Sequence, residues 1–206
     1  MKKQNKIKKT GKKGIKQIEE VVLKVAIEIA KQKGGALFVI GNDVKYDRLL
    51  KQKVEHFSVF DEGAVKLLKS LGMIDGAVII DNNGIVKDYG AMIKKSKAFI
   101  GYGTRHAAAM TASKGNNVVI LCSEEEQKVK IFKNGKYIMQ IDALEKNVEK
   151  NVSKIPTLLE SLGAGLVGTV GAVSLAPTLG IALIPGVLVF GGSYYAIKKI
   201  IEIINK

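Results

Sequence analysis

Three short motifs carry the side chains that could do chemistry, and the most unusual is GTRHAAA at residues 103–109. The alanines predict a helix, so Arg105 and His106 fall in its first turn, where the backbone already carries partial positive charge. A helix beginning at Gly103-Thr104 would expose backbone N–H groups, and Arg105 could bind phosphate oxygens in bidentate fashion. The stretch therefore predicts an anion site, against the alternative of an exposed Arg-His pair.

The other two motifs are acidic and adjoin predicted strands. Asp75 precedes Gly76-Ala77 at the start of one apolar run, where a carboxylate could reach a metal and the glycine could let a ligand approach the backbone. Ser123-Glu124-Glu125 follows a second apolar run, and carboxylates there suit Mg²⁺ or Mn²⁺. Either motif alone is also what an ordinary turn beside a strand contains. Together, the three motifs suit a nucleoside triphosphate with a divalent ion.

Several other chemistries find no support in the sequence. A zinc site is not expected, because the chain has one cysteine and two distant histidines without ligand spacing. Neither histidine has a convincing nucleophile partner, and the Walker and Rossmann glycine signatures do not occur. Cys122 lies in the apolar run VVILC, so we expect a buried small hydrophobe and a reducing compartment.

The elements that must position these motifs predict a mixed α/β domain over residues 15–142. Helical spacing and glycine stops predict three helices: Ile15 to Ala30, a second capped by Asp61 and ended at Gly72, and a third capped by Thr104 and ended at Gly115. Short apolar runs predict strands, and Asn134-Gly135 predicts the tip of a closing hairpin. The other strand sequences are ALFVIG, DGAVIID, IVKDYGAMI and NVVILC.

The beginning of the chain is strongly basic. The first 16 residues hold 8 of the 33 Lys and Arg residues and no acid. Without them, the remaining 25 basic residues exceed the 19 acidic residues by only 6. Residues 1–14 are predicted to be a disordered basic tail, for which the candidate partners are anionic lipid and nucleic acid. Because the tail has no interleaved aromatic residues, a nucleic-acid partner is not expected.

The end of the chain changes composition sharply. Residues 143–156 are polar and are predicted to be a helical or flexible linker. Residues 157–206 follow as a glycine-rich membrane hairpin, because the 37 residues from Ser161 to Ile197 contain no Asp, Glu, Lys, Arg or His. Lysines on both flanks place both ends in the cytoplasm. The alternative is a helical hairpin buried in a soluble oligomer.

The order of the motifs resembles the diadenylate cyclase (DAC) domain. DGA, then GTRH opening an alanine-rich helix, then SEE after a buried strand follow that family's pattern. The similarity covers about 120 residues and includes IAKQKGGALFVIG, YGAMIKKS and the closing hairpin. One position departs from it: Ala107 stands where the family's Arg-His-Arg motif has its second arginine. The resemblance implies a DAC-type fold, a mixed sheet flanked by helices, followed here by the C-terminal hydrophobic helical hairpin.

The resemblance also implies a reaction and a set of site residues. Two ATP would condense into cyclic di-AMP with release of two pyrophosphates, and two subunits would self-associate with facing active sites. Asp75, Arg105 and His106 would be catalytic, and Asp75 and Glu124 would hold Mn²⁺ or Mg²⁺. The residues that would bind ATP are Gly76, Ala77, Met92, Gly103, Thr104, Arg105, His106 and Ser123.

These expectations lead to a first hypothesis and two alternatives. The first is a diadenylate cyclase anchored to the cell membrane by its C-terminal segment, with the catalytic domain facing the cytoplasm. The second, motivated by Ala107, is a catalytically inactive nucleotide-binding regulator with a DAC-like fold. The third makes the glycine-rich hairpin a pore-forming or membrane-active element that the soluble domain regulates.

Overall fold

The computed structural model describes residues 14–49, 55–94, 103–146, 148–163 and 181–183. These residues contain five α-helices and nine strands. The helices are α1 (Gly14–Lys31), α2 (Ala64–Gly72), α3 (Thr104–Ala112), α4 (Val148–Asn151) and α5 (Ile155–Gly163), with a 3₁₀ turn at Val152–Lys154. The strands are β1 (Ala36–Ile40), β2 (Tyr46–Arg48), β3 (Phe57–Ser58), β4 (Ala77–Ile80), β5 (Ile85–Ile93), β6 (Val118–Ser123), β7 (Lys128–Lys133), β8 (Lys136–Asp142) and β9 (Ile181–Leu183).

All nine described strands form one mixed sheet, which the family resemblance implied, although β2, β3 and β9 were not predicted as strands. Its order is β2-β5-β4-β1-β6-β7-β8-β9, and β3 also pairs with β5. β1 and β4 are parallel, whereas the other described pairs are antiparallel. A parallel pair needs a long connection, and α2 lies in the one between β1 and β4.

The two faces of the sheet bury different cores. Because side chains alternate along a strand, Phe38 and Ile40 of β1 face α1, whereas Leu37 and Val39 face α3. The α1 face is covered by α1, by α2 and by residues between Ala143 and Leu159. The opposite face of the sheet, which we call the α3 face, is covered by α3. This helix contributes only the small side chains of Ala109 and Ala112 to the buried cluster there. α3 can therefore lie close to the strands.

Two predicted helix caps are wrong by one or two residues. Gly63, at φ 78°, is the N-cap of α2 rather than Asp61, whose carboxylate accepts a hydrogen bond from the Ser58 N–H at 2.8 Å. Gly103 is the N-cap of α3, and Thr104 is the first helical residue. Neither cap makes a side-chain hydrogen bond. A side-chain cap is a preference rather than a requirement, since glycine is also a good N-cap.

Two local predictions in the closing half of the domain are confirmed. Asn134 and Gly135 form the tip between β7 and β8 with φ of 54° and 70°, as a two-residue hairpin turn requires. Cys122 is buried, and its thiol donates to the Ala26 carbonyl at 3.3 Å. Burial raises the pKa of this thiol far above its ordinary value, so Cys122 behaves as a small apolar residue.

The segment predicted as a linker packs against the α1 face. Val148, Val152 and Ile155 are buried in the same cluster as α1. Within the segment predicted as a helical hairpin, Leu159 of α5 is buried, but Ile181–Leu183 form β9 rather than a helix. β9 pairs with β8, whose edge would otherwise leave backbone groups unpaired.

The rest of the predicted hairpin, residues 164–180 and 184–206, lies outside the described residues, as do residues 1–13 of the basic tail. Within the part of the chain that the structure describes, no helix is both long and apolar enough to cross a bilayer.

Candidate functional site

The strand register brings the three motifs to one end of the sheet. Ala36, at the start of β1, pairs with Cys122 near the end of β6, and Phe38 pairs with Val78 of the parallel β4. Asp75 lies two residues before β4, and Glu124 immediately follows β6, so both carboxylates lie at this end. The arrangement follows from strand direction: β1 and β4 begin here, and β6 ends here. We call this end the site edge.

The N-terminus of α3 also lies at the site edge, on the α3 face. The Arg105 Nη1 atom is 3.3 Å from the Glu124 Oε2 atom, and their side chains are 41% and 56% exposed. A half-exposed ion pair of this kind contributes at most about 1 kcal/mol, so a phosphate group can compete for the guanidinium. Arg105 and His106 do lie in the first turn of a helix, as predicted. The negative group opposite Arg105 in this structure is the Glu124 carboxylate.

Gly35 lies directly beneath this ion pair. A Cβ atom at residue 35 would lie 2.2 Å from Arg105 Nη1 and 2.8 Å from Glu124 Oε2. A side chain there would force the Arg105 guanidinium or the Glu124 carboxylate to shift. In the sequence Gly35 suggests only the end of α1, so its contribution to the site was missed. The double glycine ahead of β1 is the only signal that could have indicated a close approach.

His106 is half-buried behind Arg105 and contacts β7. Its Nε2 atom lies 3.1 Å from the Lys130 ammonium, and its ring meets Phe132 edge-on at a centroid distance of 6.2 Å. Burial and then the positive charge of Lys130 lower the pKa of His106, so the imidazole is neutral near pH 7. Lys130 in turn donates a hydrogen bond to Glu126. The sequence analysis included neither Lys130 nor Glu126 in its site.

Asp75 is exposed just before β4, and the backbone conformation of the next residue, Gly76, sets its position. Gly76 has φ 96°, and a Cβ atom there would lie 2.6 Å from the Gly90 carbonyl carbon and 2.8 Å from the Ala91 nitrogen. Residue 76 must therefore be a glycine because the backbone of β5 passes close to it. The sequence analysis had explained this glycine by the approach of a ligand. The Gly76 N–H also donates to the Asp75 carboxylate at 3.0 Å.

The remaining predicted residues divide into exposed and buried positions. Met92 lies near the end of β5 at the site edge with an exposed side chain, and Gly103 and Thr104 are exposed ahead of Arg105. The side chain of Ala77 is fully buried in the α3-face core, so only its backbone can meet a ligand. Ser123 ends β6 and is partly buried.

The described residues contain no group of three or more His, Cys, Asp or Glu side chains that could hold a metal ion by themselves. Asp75 and Glu124 nevertheless supply two hard oxygen donors at one end of the sheet. Magnesium in nucleotide sites is commonly held by one or two carboxylates together with substrate phosphates. The donor set therefore fits an ion that arrives with a nucleotide rather than an ion held only by protein ligands.

The family model described as "DAC: DisA bacterial checkpoint controller nucleotide-binding" matches residues 24–137, which is just over half of the chain. The chain belongs to this family. The DAC match begins within α1, ends within β8 and contains all three motifs of the site edge.

Two relatives of the DAC domain are named diadenylate cyclase. The protein from Methanocaldococcus jannaschii is 32% identical over 136 residues, which cover 59% of this chain and 44% of the relative. The protein from Haloferax volcanii is 31% identical over 139 residues, which cover 59% of this chain and 51% of the relative. The chain thus spans about half the length of the curated relatives that it matches.

Two solved structures are also similar. One is titled a hypothetical membrane spanning protein from Bacillus cereus, with 23% identity, a TM-score of 0.42 and coverage of 57% of this chain and 60% of that chain. The other is a double mutant of DacA from Staphylococcus aureus, with 21% identity, a TM-score of 0.44 and coverage of 59% and 84%.

Proposed function

We propose that this protein is a diadenylate cyclase that condenses two ATP into cyclic di-AMP and releases two pyrophosphates. The observation that carries the proposal is that a DAC-family chain gathers its three motifs at one end of one sheet. The names of the two curated relatives support the same activity.

The N-terminus of α3 binds the phosphates in this proposal. Gly103 and Thr104 begin the helix and are exposed, so free backbone N–H groups and a hydroxyl are available to phosphate oxygens. Arg105 exchanges the Glu124 carboxylate for a phosphate, which carries more charge and accepts two parallel N–H bonds. Neutral His106 donates a hydrogen bond from its ring. Met92 and the Gly76-Ala77 backbone border the nucleotide, and Ser123 completes its binding site.

Asp75 and Glu124 serve the reacting groups. Asp75 and Glu124 would hold a Mn²⁺ or Mg²⁺ ion that binds with the nucleotide, and this ion would supply charge neutralisation at the phosphate oxygens. Asp75 lies at the site edge with an exposed carboxylate, so it can hold this ion and draw the proton from the attacking 3′-hydroxyl. The 3′-oxygen of one ATP bonds to the α-phosphorus of the other, and the bond to pyrophosphate breaks. A second such step in the opposite direction closes the ring.

Two DAC domains must face each other for this reaction. Each site edge holds one ATP, and each ATP must be both nucleophile and electrophile for a cyclic product. We therefore include self-association with facing sites in the proposal. Alignment of two bound nucleotides supplies much of the rate enhancement, because catalysis of phosphoryl-type transfer is mainly positioning and electrostatic stabilisation.

We also propose that the uncharged run of residues 161–197 attaches the protein to the cell membrane with the DAC domain on the cytoplasmic side. The support is the uncharged composition of the residues on either side of β9, 164–180 and 184–197, which lie outside the described residues. Residues 157–206 fused to a soluble reporter should sediment with membranes and resist extraction by carbonate. A fusion that stays in the soluble fraction would refute the attachment.

The activity is tested by incubating the full chain with ATP and Mn²⁺ or Mg²⁺ and detecting cyclic di-AMP by mass spectrometry. We expect product in the presence of either ion and none after chelation with EDTA. ATP binding is measured in the same samples with a non-hydrolysable analogue. A folded, self-associated sample that binds the analogue but makes no product would favour the inactive regulator instead.

A further inference from the structure

The hairpin between β7 and β8 lies at the end of the sheet opposite the site edge. Lys133 at the end of β7 pairs with Val118 at the start of β6, and with Lys136 at the start of β8. The C-terminus of α3 reaches the tip of this hairpin, since the Gly135 N–H donates to the carbonyl of the C-cap Ser113 at 3.1 Å. The far end of the sheet therefore joins a strand hairpin to a helix end.

The start of α1 and the end of α5 also lie near this tip. Because α1 leads into β1 at the site edge, its first residues lie at the opposite end of the sheet. There the charge of Lys133 acts on the Glu19 carboxyl of α1. Lys16 of α1 forms an ion pair with Glu160 of α5 at 2.5 Å, which places the end of α5 beside the start of α1.

Lysines from both faces of the sheet surround the tip. Lys16 lies on the α1 side, and Lys114 follows α3 on the other side. The Lys114 side chain lies against the hairpin, because a Cβ atom at Gly135 would be 3.2 Å from its Cγ atom. Both lysines are exposed, and Lys133 is partly exposed between them. We call residues 133–136 together with Lys16 and Lys114 the tip corner.

The charge at this end of the sheet is divided. Asp43 follows β1, and Asp81 follows β4 and pairs with Lys87. In the strand order these carboxylates lie on one side of β6, whereas the tip corner lies on the other side. A negatively charged surface is therefore attracted to the tip corner and not to this whole end of the domain.

Segments of unusual composition join the described structure at the tip corner. Residues 1–13, which precede α1, contain seven lysines and no acid. The uncharged run continues beyond Gly163 at the end of α5. β9 is antiparallel to β8, so its last residue, Leu183, lies nearer the tip, and the uncharged sequence continues from there. Basic and uncharged sequence on one side of a domain is the combination expected where a domain meets an anionic membrane.

We propose that the tip corner is the part of the DAC domain that contacts the membrane, where its lysines bind anionic lipid headgroups and leave the site edge clear of the lipid surface. The orientation rests on the proposed membrane attachment, whereas the contact with anionic lipid is a separate property of the domain. Because only one side of this end is basic, two domains can contact one membrane through their tip corners while their site edges face each other.

The experiment measures sedimentation of the full chain with vesicles of phosphatidylcholine, alone or mixed with phosphatidylglycerol. Lys16→Gln/Lys114→Gln removes two exposed charges of the tip corner. Lys45→Gln/Lys94→Gln is the matched control, because Lys45 precedes β2 and Lys94 follows β5 at the site-edge end. The side chains of Lys16 and Lys94 are each 46% exposed, and each forms an ion pair.

The tip-corner variant should bind anionic vesicles about 25-fold less tightly than the unsubstituted protein, at about 5-fold for each lysine. Its binding to neutral vesicles should be unchanged, and the control should lose less than about 2-fold on anionic vesicles. Equal losses in the two variants, or full affinity in the tip-corner variant, would overturn the inference. So would a tip-corner variant that keeps vesicle binding but loses binding to single-stranded RNA, because the surface would then be one for nucleic acid.

Failure of the attachment gives a different result. If no protein binds neutral vesicles, the uncharged run does not attach the chain, but the comparison on anionic vesicles still decides whether the tip corner binds lipid.

A second measurement reports the orientation of the domain on the vesicle. Because Cys122 is buried, a thiol-reactive fluorophore can be directed to Asn116→Cys beside the tip corner or to Glu125→Cys beside the site edge, both exposed positions. Lipids that carry a quencher on the headgroup should quench the label at residue 116 more than the label at residue 125. Stronger quenching at residue 125 would overturn the inference.

Discussion

The two faces of the sheet bury different sets of side chains. The α1 face buries a large cluster of leucine, isoleucine, valine and phenylalanine side chains against α1, α2 and the segment ending at Leu159. The α3 face buries a smaller cluster, in which two alanines of α3 lie against the strands. At the site edge the α3 face also carries two ion pairs, Arg105 with Glu124 and Lys130 with Glu126, and His106 lies next to Lys130.

The difference suggests that the α1 face mainly stabilises the fold, whereas the α3 face carries the side chains of the proposed site. Apolar area buried on the α1 face stabilises the fold, since burial contributes about 25 cal/mol per Å². Polar groups on the α3 face cost stability, but they hold the side chains that would meet a nucleotide. An alanine-rich helix suits this face because small side chains let the helix N-terminus approach the strand ends. The following substitutions test whether the two roles are separable.

The largest effect on stability is expected from removing one large side chain from each face. Phe38→Ala and Phe132→Ala each empty a fully buried position, and each should lower the free energy of unfolding by about 3–5 kcal/mol. Only Phe132 contacts the His106 ring. Phe38→Ala should therefore keep turnover per folded molecule, whereas Phe132→Ala should lower it by up to about 100-fold, because the His106 ring loses the contact that fixes its position.

Urea denaturation and cyclic di-AMP formation measure the two quantities. Equal loss of turnover in both variants, normalised to the folded fraction, would show that the faces are not separable.

The next effect concerns Glu19, an acidic side chain of α1 that is only 4% exposed. Burial raises the pKa of Glu19 to about 7 from an ordinary value of 4.5, while Lys133 and Lys16 oppose the rise and Glu160 adds to it. A raised pKa means that the associated stability is present below pH 4.5 and is lost as the pH rises through about 7. Glu19→Gln should therefore raise the free energy of unfolding at pH 8 by up to about 3 kcal/mol.

Thermal unfolding from pH 4 to pH 8 measures this dependence. Glu20→Gln is the control, because Glu20 is more exposed and pairs with Lys24 on the same helix. If Glu19→Gln shows the same pH dependence as the unsubstituted protein, the Glu19 carboxyl is not the cause of the stability lost at high pH.

A smaller effect is expected from two glycines with similar backbone conformations. Gly76 and Gly63 have φ of 96° and 78°, but only at Gly76 would a Cβ atom clash with neighbouring backbone. Gly63→Ala should cost about 1 kcal/mol from the left-handed conformation alone, and Gly76→Ala about 2–3 kcal/mol. Because Gly76 sets the position of Asp75, only Gly76→Ala should also lower turnover. Equal turnover in both variants would mean that the close approach of β5 does not position Asp75.

Local sequence patterns were enough to predict a mixed α/β domain and its closing hairpin, whereas the mixed sheet was implied by the family resemblance. Asn134-Gly135 specifies its turn through the conformations of two adjacent residues, and the β-branched runs specify strands through their own side chains. Contacts between distant segments were not predictable in this way. The approach of Gly35 to Arg105 and the contact of Lys130 with His106 depend on strand register and on how α3 lies across the sheet.

The C-terminal prediction illustrates the same limit. Composition marked residues 143–156 as a linker, yet Val148 and Val152 are buried against the α1 face. Their spacing in a polar segment gave little indication of packing. The N-caps at Gly63 and Gly103 were missed because Asp61 and Thr104 are residue types that prefer that position.

The most direct test of the central claim compares the full chain with its Asp75→Asn variant. Both are incubated with ATP and Mn²⁺, and cyclic di-AMP is measured by mass spectrometry beside unfolding curves. The cyclase account predicts product from the unsubstituted protein and a loss of about 10³-fold or more in the variant, with stability nearly unchanged because Asp75 is exposed. Product formed at equal rates by both proteins would contradict the account, because the site edge would then not be where the reaction occurs.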